Sequence, residues 1–218
     1  MQILDLLAQG DLVFDVGAHK GDKCAQYLER GARVVCFEPQ PDLAAALRER
    51  FAEHPLPGAV RVEALGLSSA PGALPFRVCE TCTDLSSFSE AWPKLARFGT
   101  EQRWRDPTEI PVSTLDEMIH KYGLPRFTKI DAEGHEPRVL EGLTKGLPLL
   151  SFEFHRERPE AVATCMRRLL ELGMARFNIS FWDDPRMLAD GWLDSDQLFS
   201  YIGSYAEELL WGDVYAAS

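Results

Sequence analysis

Short apolar runs alternate with amphipathic stretches along this chain, the pattern of strand-helix-strand units that build a parallel sheet. The runs predict strands at 12–16, 33–38, 59–64, 127–131 and 149–154, with helices near 21–30, 41–53, 114–122, 136–145 and 159–172. Pro41 stands at the entry of PDLAAALRERF, and Ser113 precedes TLDEMIHKY as an N-cap with Asp116 three residues on; Gly123 and Pro125 stop that helix. Towards the C-terminus ARFNISF (175–181) and GDVYAAS (212–218) flank a helix-like segment, DQLFSYIGSYAEELL, and read as an antiparallel edge pair on the parallel sheet. The fold class is therefore α/β, a doubly wound, mostly parallel sheet. ALPFRV reads as a hairpin, and residues 79–109 are irregular, with few periodic apolar positions. A connection of that length in a compact domain is a functional lid or a flexible segment.

The chain has 218 residues, enough for one large α/β domain with a substantial core, and 1–218 is read as a single domain carrying the 79–109 insertion. No stretch has the length of a membrane span, and the first residues lack a basic region followed by an apolar block. A formal charge of -11 disfavours nucleic acids and anionic membranes, whose binding draws on Lys and Arg. Five scattered cysteines do not form a disulfide framework, so a cytoplasmic location is expected. Cys79 and Cys82 form a CxxC without the second pair that a zinc site needs. Nothing in the sequence specifies an oligomeric state.

Chemistry enters at the strand ends. VFDVGAHKG (13–21) is an apolar run that ends in an acid and then glycines, a strand opening into a ligand-binding turn, where Gly17 and Gly21 permit close approach to a ligand. Glu38 closes the next run, where an acid accepts from both hydroxyls of a ribose. A dinucleotide loop needs G-x-G-x-x-G, and His19 occupies the middle glycine's place. The loop therefore suits a nucleoside without pyrophosphate, S-adenosylmethionine being the leading example. Ligands bind beyond the carboxyl ends of such strands, so Asp15, Glu38, Asp131, Glu153 and His155 converge on one crevice.

VFDVGAHKG, VVCFEPQP, VSTLDEMI, KIDAEGHE leading into VLEGL, and LLSFEFH stand in the order and spacing of the FkbM family of S-adenosylmethionine-dependent methyltransferases, which the chain resembles over about residues 11–155. The resemblance implies a class I, Rossmann-like methyltransferase fold. It also implies methyl transfer to a hydroxyl of a sugar, polyketide, lipid or other small molecule. In its terms Asp15, Gly17, Ala18 and Gly21 hold the methionine end of the cofactor, Glu38 in the FEP motif with Pro39 takes the ribose, Ala64 and Leu65 flank the adenine, and Asp131 sits beside the methyl. Family members usually carry Asn where this chain has His19, whose imidazole still donates or accepts a bond.

The acceptor hydroxyl must lose a proton, and Asp131, Glu153, His135 and His155 are the candidate bases. Asp131, Glu153 and His155 also make an O, O, N set able to hold Mg²⁺ or another divalent ion. Carboxylates at strand ends serve equally without one, so a metal is not favoured. The short chain before the first strand leaves acceptor coverage to 79–109 and 182–200, with Asp84, Ser86, Ser87, Trp92 and Trp104 as candidate contacts. Two other functions use the same fold: a scaffold that only binds partners, and a nicotinamide-dependent oxidoreductase, against which the missing glycine argues.

Overall fold

The computed structural model describes residues 2–95, 98, 101–182, 184–206 and 210–218. Its first strand, β1 (Leu12–Val16), is buried almost throughout, and it pairs in parallel with β2 (Arg33–Phe37) on one side and β7 (Phe127–Ile130) on the other. A strand flanked on both faces carries a continuous apolar run, and LVFDV, RVVCF and FTKI obey this until Asp15 and Lys129. Beyond β2 lies β3 (Val60–Glu63); beyond β7 come β8 (Leu149–His155), β10 (Trp211–Ala217) and β9 (Arg176–Phe181). The order is β3-β2-β1-β7-β8-β10-β9, and β10 runs antiparallel to both its neighbours. The expected antiparallel pair is present, with β10 one place inside the edge and β9 at it.

Helices cover both faces. Phe14, Val16, Phe37, Ile130, Phe152 and Phe154 face a core closed by α3 (Leu115–Tyr122), α4 (Glu136–Glu141), α5 (Pro159–Glu171) and α6 (Ser195–Gly203). Val13, Val34, Cys36 and Phe127 face the other, closed by α1 (Asp22–Glu29), α2 (Pro41–Arg50) and the turn Ile3–Leu6. Removing a fully buried ring such as Phe127 from this layer costs about 3–5 kcal/mol.

A second, three-stranded sheet, in the order β4 (Gly66–Leu67), β6 (Thr108–Ser113), β5 (Gly72–Phe76), lies beside the main one. It replaces the expected hairpin and takes in the end of the irregular segment. Ser113 is the last residue of β6 and gives its hydroxyl hydrogen to the Glu117 carboxylate; the N-cap of α3 is Thr114, whose side chain accepts from the Glu117 N–H at 3.1 Å. The predicted cap is thus one residue early, because the strand runs up to the helix without a loop. Helix α4 ends at Gly142 rather than 145, where a Cβ would stand 2.3 Å from the Ser68 carbonyl oxygen. Among the described residues no helix is long and apolar enough to cross a membrane.

Candidate functional site

The strand order reverses between β1 and β7, and there the crevice forms. Gly17, just past β1, has φ +80°, and a Cβ on it would lie 1.8 Å from the carbonyl oxygen of Asp131. Its glycine is therefore demanded first by the neighbouring strand end. The Gly17 and Ala18 N–H groups donate to Phe37 O at 2.9 and 3.2 Å, so the turn folds across the end of β2. His19 follows with φ 48°.

Glu38 organises the turn from the next strand. One carboxylate oxygen accepts from the His19 N–H and the other from the Gln40 N–H, both at 2.8 Å. It is 2 % exposed, and burial pushes its carboxyl up to about 7 against these bonds. The His19 ring crosses the crevice, with Nε2 2.9 Å from both Thr83 Oγ1 and Asp84 Oδ1. Burial lowers its pKa, and Asp84 opposes the shift. The Gln40 side chain donates to Thr83 O at 3.2 Å.

These residues border a cleft with about 740 Å³ of atom-free space, open to solvent at its mouth. One wall is apolar: Leu67, Phe76 and Phe88, the two rings 4.6 Å apart. Gly66 admits Phe88, since a Cβ there would meet that ring at 2.3 Å. At the far end Asp131 and Glu133 enter the lining.

Of the residues expected around a cofactor, Gly17, His19, Glu38, Pro39 and Asp131 line this cleft. Five do not. Asp15 is buried below the turn, its Oδ2 without a hydrogen-bond partner and its carboxyl raised by burial to about 6. Ala18 packs into the α1-side core, and Gly21 lies against α2, where a Cβ would meet Leu47 at 2.6 Å and Phe51 at 2.9 Å. Ala64 is exposed and Leu65 packs on the core, because β3 ends at Glu63 and the chain returns to the cleft only at Gly66 and Leu67.

The acidic end comes from β7, β8 and the start of α4. Lys129 Nζ lies 2.5 Å from Asp131 Oδ2. Burial would raise the Asp131 carboxyl, but the Lys129 ammonium outweighs it and holds the group below its ordinary value. Glu133 has a positive φ of 51°, and its carbonyl accepts from Ser87 Oγ at 2.6 Å. Burial, then the charge of Asp131, lifts the carboxyls of Glu133 and Glu153 well above the usual range. Glu153 Oε2 is 2.9 Å from His155 Nε2, and the His155 ring lies edge-on to Trp92 at 4.7 Å and stacked on Trp211 at 6.5 Å.

Glu133, Glu153 and His155 place one ligand atom each within 4.8 Å of one another. The sequence-based set had Asp131 in the place of Glu133; Asp131 is engaged by Lys129 and by a hydrogen bond with Glu153. His135 leaves the list of bases at the cleft. It sits behind Phe88, 3.0 Å from Ser68 Oγ, and burial lowers its pKa to about 4, so it ties β4 to α4 as a neutral ring.

The 79–109 segment closes one side of the cleft. Thr83, Asp84, Ser86 and Phe88 line it, while Ser87 is buried on the Glu133 carbonyl. Trp92 is fully buried over His155, with no hydrogen-bond partner for its Nε1, and Trp104 is half-buried with its ring 6.2 Å from Phe98. Trp92 therefore presents no free face for stacking. Residues 96, 97, 99 and 100 of this segment, and 183 of the 182–200 segment, lie outside the described residues. All five cysteines are unpaired, and no metal-ligand group among the described residues includes Cys79 or Cys82. Leu67 and Phe88 carry no signal in the sequence, β4 being two residues long; Phe76 lies in the expected hairpin, and Gln40 and Glu133 stand inside FEPQP and KIDAEG, but nothing in the sequence directs their side chains to the cleft.

Comparison with known proteins agrees with this fold. Hexuronic acid methyltransferase AglP of Haloferax volcanii is 29% identical over 152 residues, 69% of this chain and 57% of that protein. A methyltransferase FkbM from Methylobacillus flagellatus superposes with a TM-score of 0.60 at 16% identity, over 96% of this chain and 44% of that one. A precorrin-6y C5,15-methyltransferase from Geobacter metallireducens gives 0.50 at 8% identity, covering 98% and 84%. The two superpositions speak to fold, and the chain spans little more than half of AglP and less than half of the FkbM structure. Residues 15–177, from β1 into β9, match the methyltransferase FkbM domain, and the chain belongs to that family.

Proposed function

We propose that this chain is an S-adenosylmethionine-dependent methyltransferase acting on a hydroxyl oxygen of a small molecule, with a sugar as the leading acceptor. The observation that carries the reading is the order of surfaces along the cleft: a buried carboxylate at Glu38, an apolar wall of Leu67, Phe76 and Phe88, and an acidic end at Asp131 and Glu133. A ribose diol, a flat base and a cationic centre match them in turn, so the residues present fit the cofactor. When bound, S-adenosylmethionine supplies an electrophilic methyl on a sulfonium.

Glu38 retains a lone pair on each oxygen for the ribose hydroxyls beyond its two backbone bonds. Leu67 and Phe88 take the place at the base that Ala64 and Leu65 were expected to hold. Asp131, kept ionised by Lys129, is a weak base and acts through its charge. Glu153, pushed up by burial and hydrogen-bonded to the ionised Asp131, already carries a proton, so in the pair it makes with His155 behind the lining of the cleft it is the imidazole that takes up the proton of the acceptor hydroxyl. That pair is already joined by a hydrogen bond, so a divalent ion would have to displace it, and a side-chain base is preferred. The 79–109 segment serves as the acceptor lid of a single catalytic domain, and the unpaired cysteines support work in a reducing cytoplasm. AglP, by its name, methylates a hexuronic acid, which makes uronic and neutral sugars the first acceptors to try.

Calorimetry on the full chain tests the reading. S-adenosylmethionine and S-adenosylhomocysteine should bind and NAD(H) should not. Silence for all three would leave the scaffold reading, whereas NAD(H) binding alone would favour the oxidoreductase. A labelled-methyl screen over sugars then identifies the acceptor. Turnover that survives exhaustive EDTA treatment and is not raised by Mg²⁺ or Mn²⁺ assigns the proton to a side chain; loss restored by either ion assigns it to a metal-bound site.

A further inference from the structure

Lys129 is 6 % exposed on a strand buried on both faces, a place where an ammonium is costly and an apolar residue would serve stability as well. It stands across from Asp15 in the β1–β7 ladder and shares a strand face with Asp131, two residues on. Asp213 of β10 acts on the same ammonium, as does Tyr27 of α1. Burial would lower the Lys129 pKa, but these partners, Asp131 first, hold it well above the ordinary value, so the ammonium is permanent. Lys23 of α1 adds a second positive charge to the layer.

Only one of the acids around Lys129 reaches the cleft. Asp15 and Asp213 stay beneath it, each with a carboxylate oxygen lacking a hydrogen bond, whereas Asp131 lines it. Two anchors fix Asp131 there: Gly17 packed on its carbonyl oxygen, and Lys129 on its carboxylate at 2.5 Å. Glu153 is hydrogen-bonded to it, and Glu133 and His155 interact with its charge. Without Lys129, the Asp131 carboxylate would lose the ion pair that fixes its direction and would be left among the acids Asp15, Asp213, Glu133 and Glu153.

We propose that Lys129 is a positioning residue whose ion pair keeps the Asp131 carboxylate turned into the cleft, so that the site prefers the positively charged methyl donor to the demethylated product, which lacks that charge. The inference rests on the methyltransferase reading above. A carboxylate attracts a sulfonium and gains nothing from a thioether, so the same contact that holds the donor releases the product.

The test is calorimetry of the full chain with S-adenosylmethionine and S-adenosylhomocysteine at pH 7.5. The native chain should bind the donor more tightly than the product. Lys129→Gln should weaken donor binding about tenfold, a difference of about 1.4 kcal/mol, and change product binding less than about twofold. Lys129→Arg, which keeps the charge, should restore most of the preference, and Asp131→Asn should reproduce the selective loss. Equal weakening of both ligands in Lys129→Gln marks a merely structural lysine and overturns the proposal, as does an unchanged ratio. Should Lys129→Gln not fold, the charge-balanced double variant Lys129→Gln/Asp131→Asn is compared with Asp131→Asn: the same affinities for both ligands support a lysine that acts only through Asp131, and further weakening of both ligands marks a structural lysine and overturns the proposal. A native chain that binds neither ligand refutes the methyltransferase reading itself, and this proposal with it.

Discussion

Gly17 and Glu38 show how single residues serve the fold and the site together. At Gly17 a left-handed backbone and the Asp131 carbonyl 1.8 Å from any Cβ leave no room for a side chain. Gly17→Ala must push apart the ends of β1 and β7, and a loss of about 2–4 kcal/mol is expected in urea denaturation, with weakened S-adenosylhomocysteine binding. A variant of native stability would show that the turn is free to move. Glu38 gives a pH signature. Its carboxyl is raised from 4.5 to about 7, so the folded chain favours the protonated form; that contribution to stability is full below pH 4.5 and is lost as pH rises through about 7. Ribose hydroxyls donate to the ionised form, so affinity moves the opposite way. S-adenosylhomocysteine should bind about tenfold more tightly at pH 8 than at pH 6, releasing up to about one proton near pH 6.5, and Glu38→Gln should flatten the profile. A native chain with no pH dependence in this window would remove Glu38 from the cofactor.

Between elements, the cleft is closed by a clasp of side chains. His19 from the first turn holds Thr83 and Asp84, Gln40 holds the Thr83 carbonyl, and Ser87 holds the Glu133 carbonyl. His19→Ala removes the bonds that cross the mouth. Hydrogen exchange at Leu85 and Ser86 should speed up by about tenfold or more while β1 stays protected; unchanged exchange would mean that the Gln40 and Ser87 bonds and Phe88 packing hold the segment without His19. This closing layer is also where sequence reading ran out. The parallel strands of the main sheet are legible because each is an apolar run that ends in or beside an acid, and Asp131, Glu153 and His155 stand at the ends of two of them. The second sheet was not legible: β4 is two residues long, and Pro75 and Pro111 interrupt β5 and β6, where proline ordinarily argues against a strand. Leu67 and Phe76 sit on that sheet and Phe88 packs against it, so the apolar wall of the cleft stayed hidden with it. Ala64 and Leu65 missed by two residues for the same reason. For His135 the motif gives a position and not a direction, and only packing turns its ring towards Ser68.

At the scale of the whole molecule, charge distinguishes the acceptors that remain open. The chain carries a formal charge of -11, and its cleft ends in Asp131 and Glu133, with Glu153 beside them. Such a field attracts the cationic donor and repels an anionic acceptor. If the acceptor is a uronic acid, its encounter with the protein is opposed at low ionic strength, where the Debye length is about 30 Å, and relieved at 0.15 M salt, where it is about 8 Å. The kcat/KM for a uronic acid acceptor should therefore rise severalfold between 10 and 150 mM NaCl in buffer of fixed pH, carried mainly by a fall in KM. A neutral sugar with the same ring should show no such rise. The donor supplies the internal control: its attraction is screened by the same salt, so its affinity should fall across the range. A uronic acid whose kcat/KM falls with salt would mean that cations near the acceptor's path, such as the half-buried Arg77 or the exposed Lys94 of the groove beside Trp104, dominate the overall charge. The acidic end of the cleft would then contribute to donor selection alone.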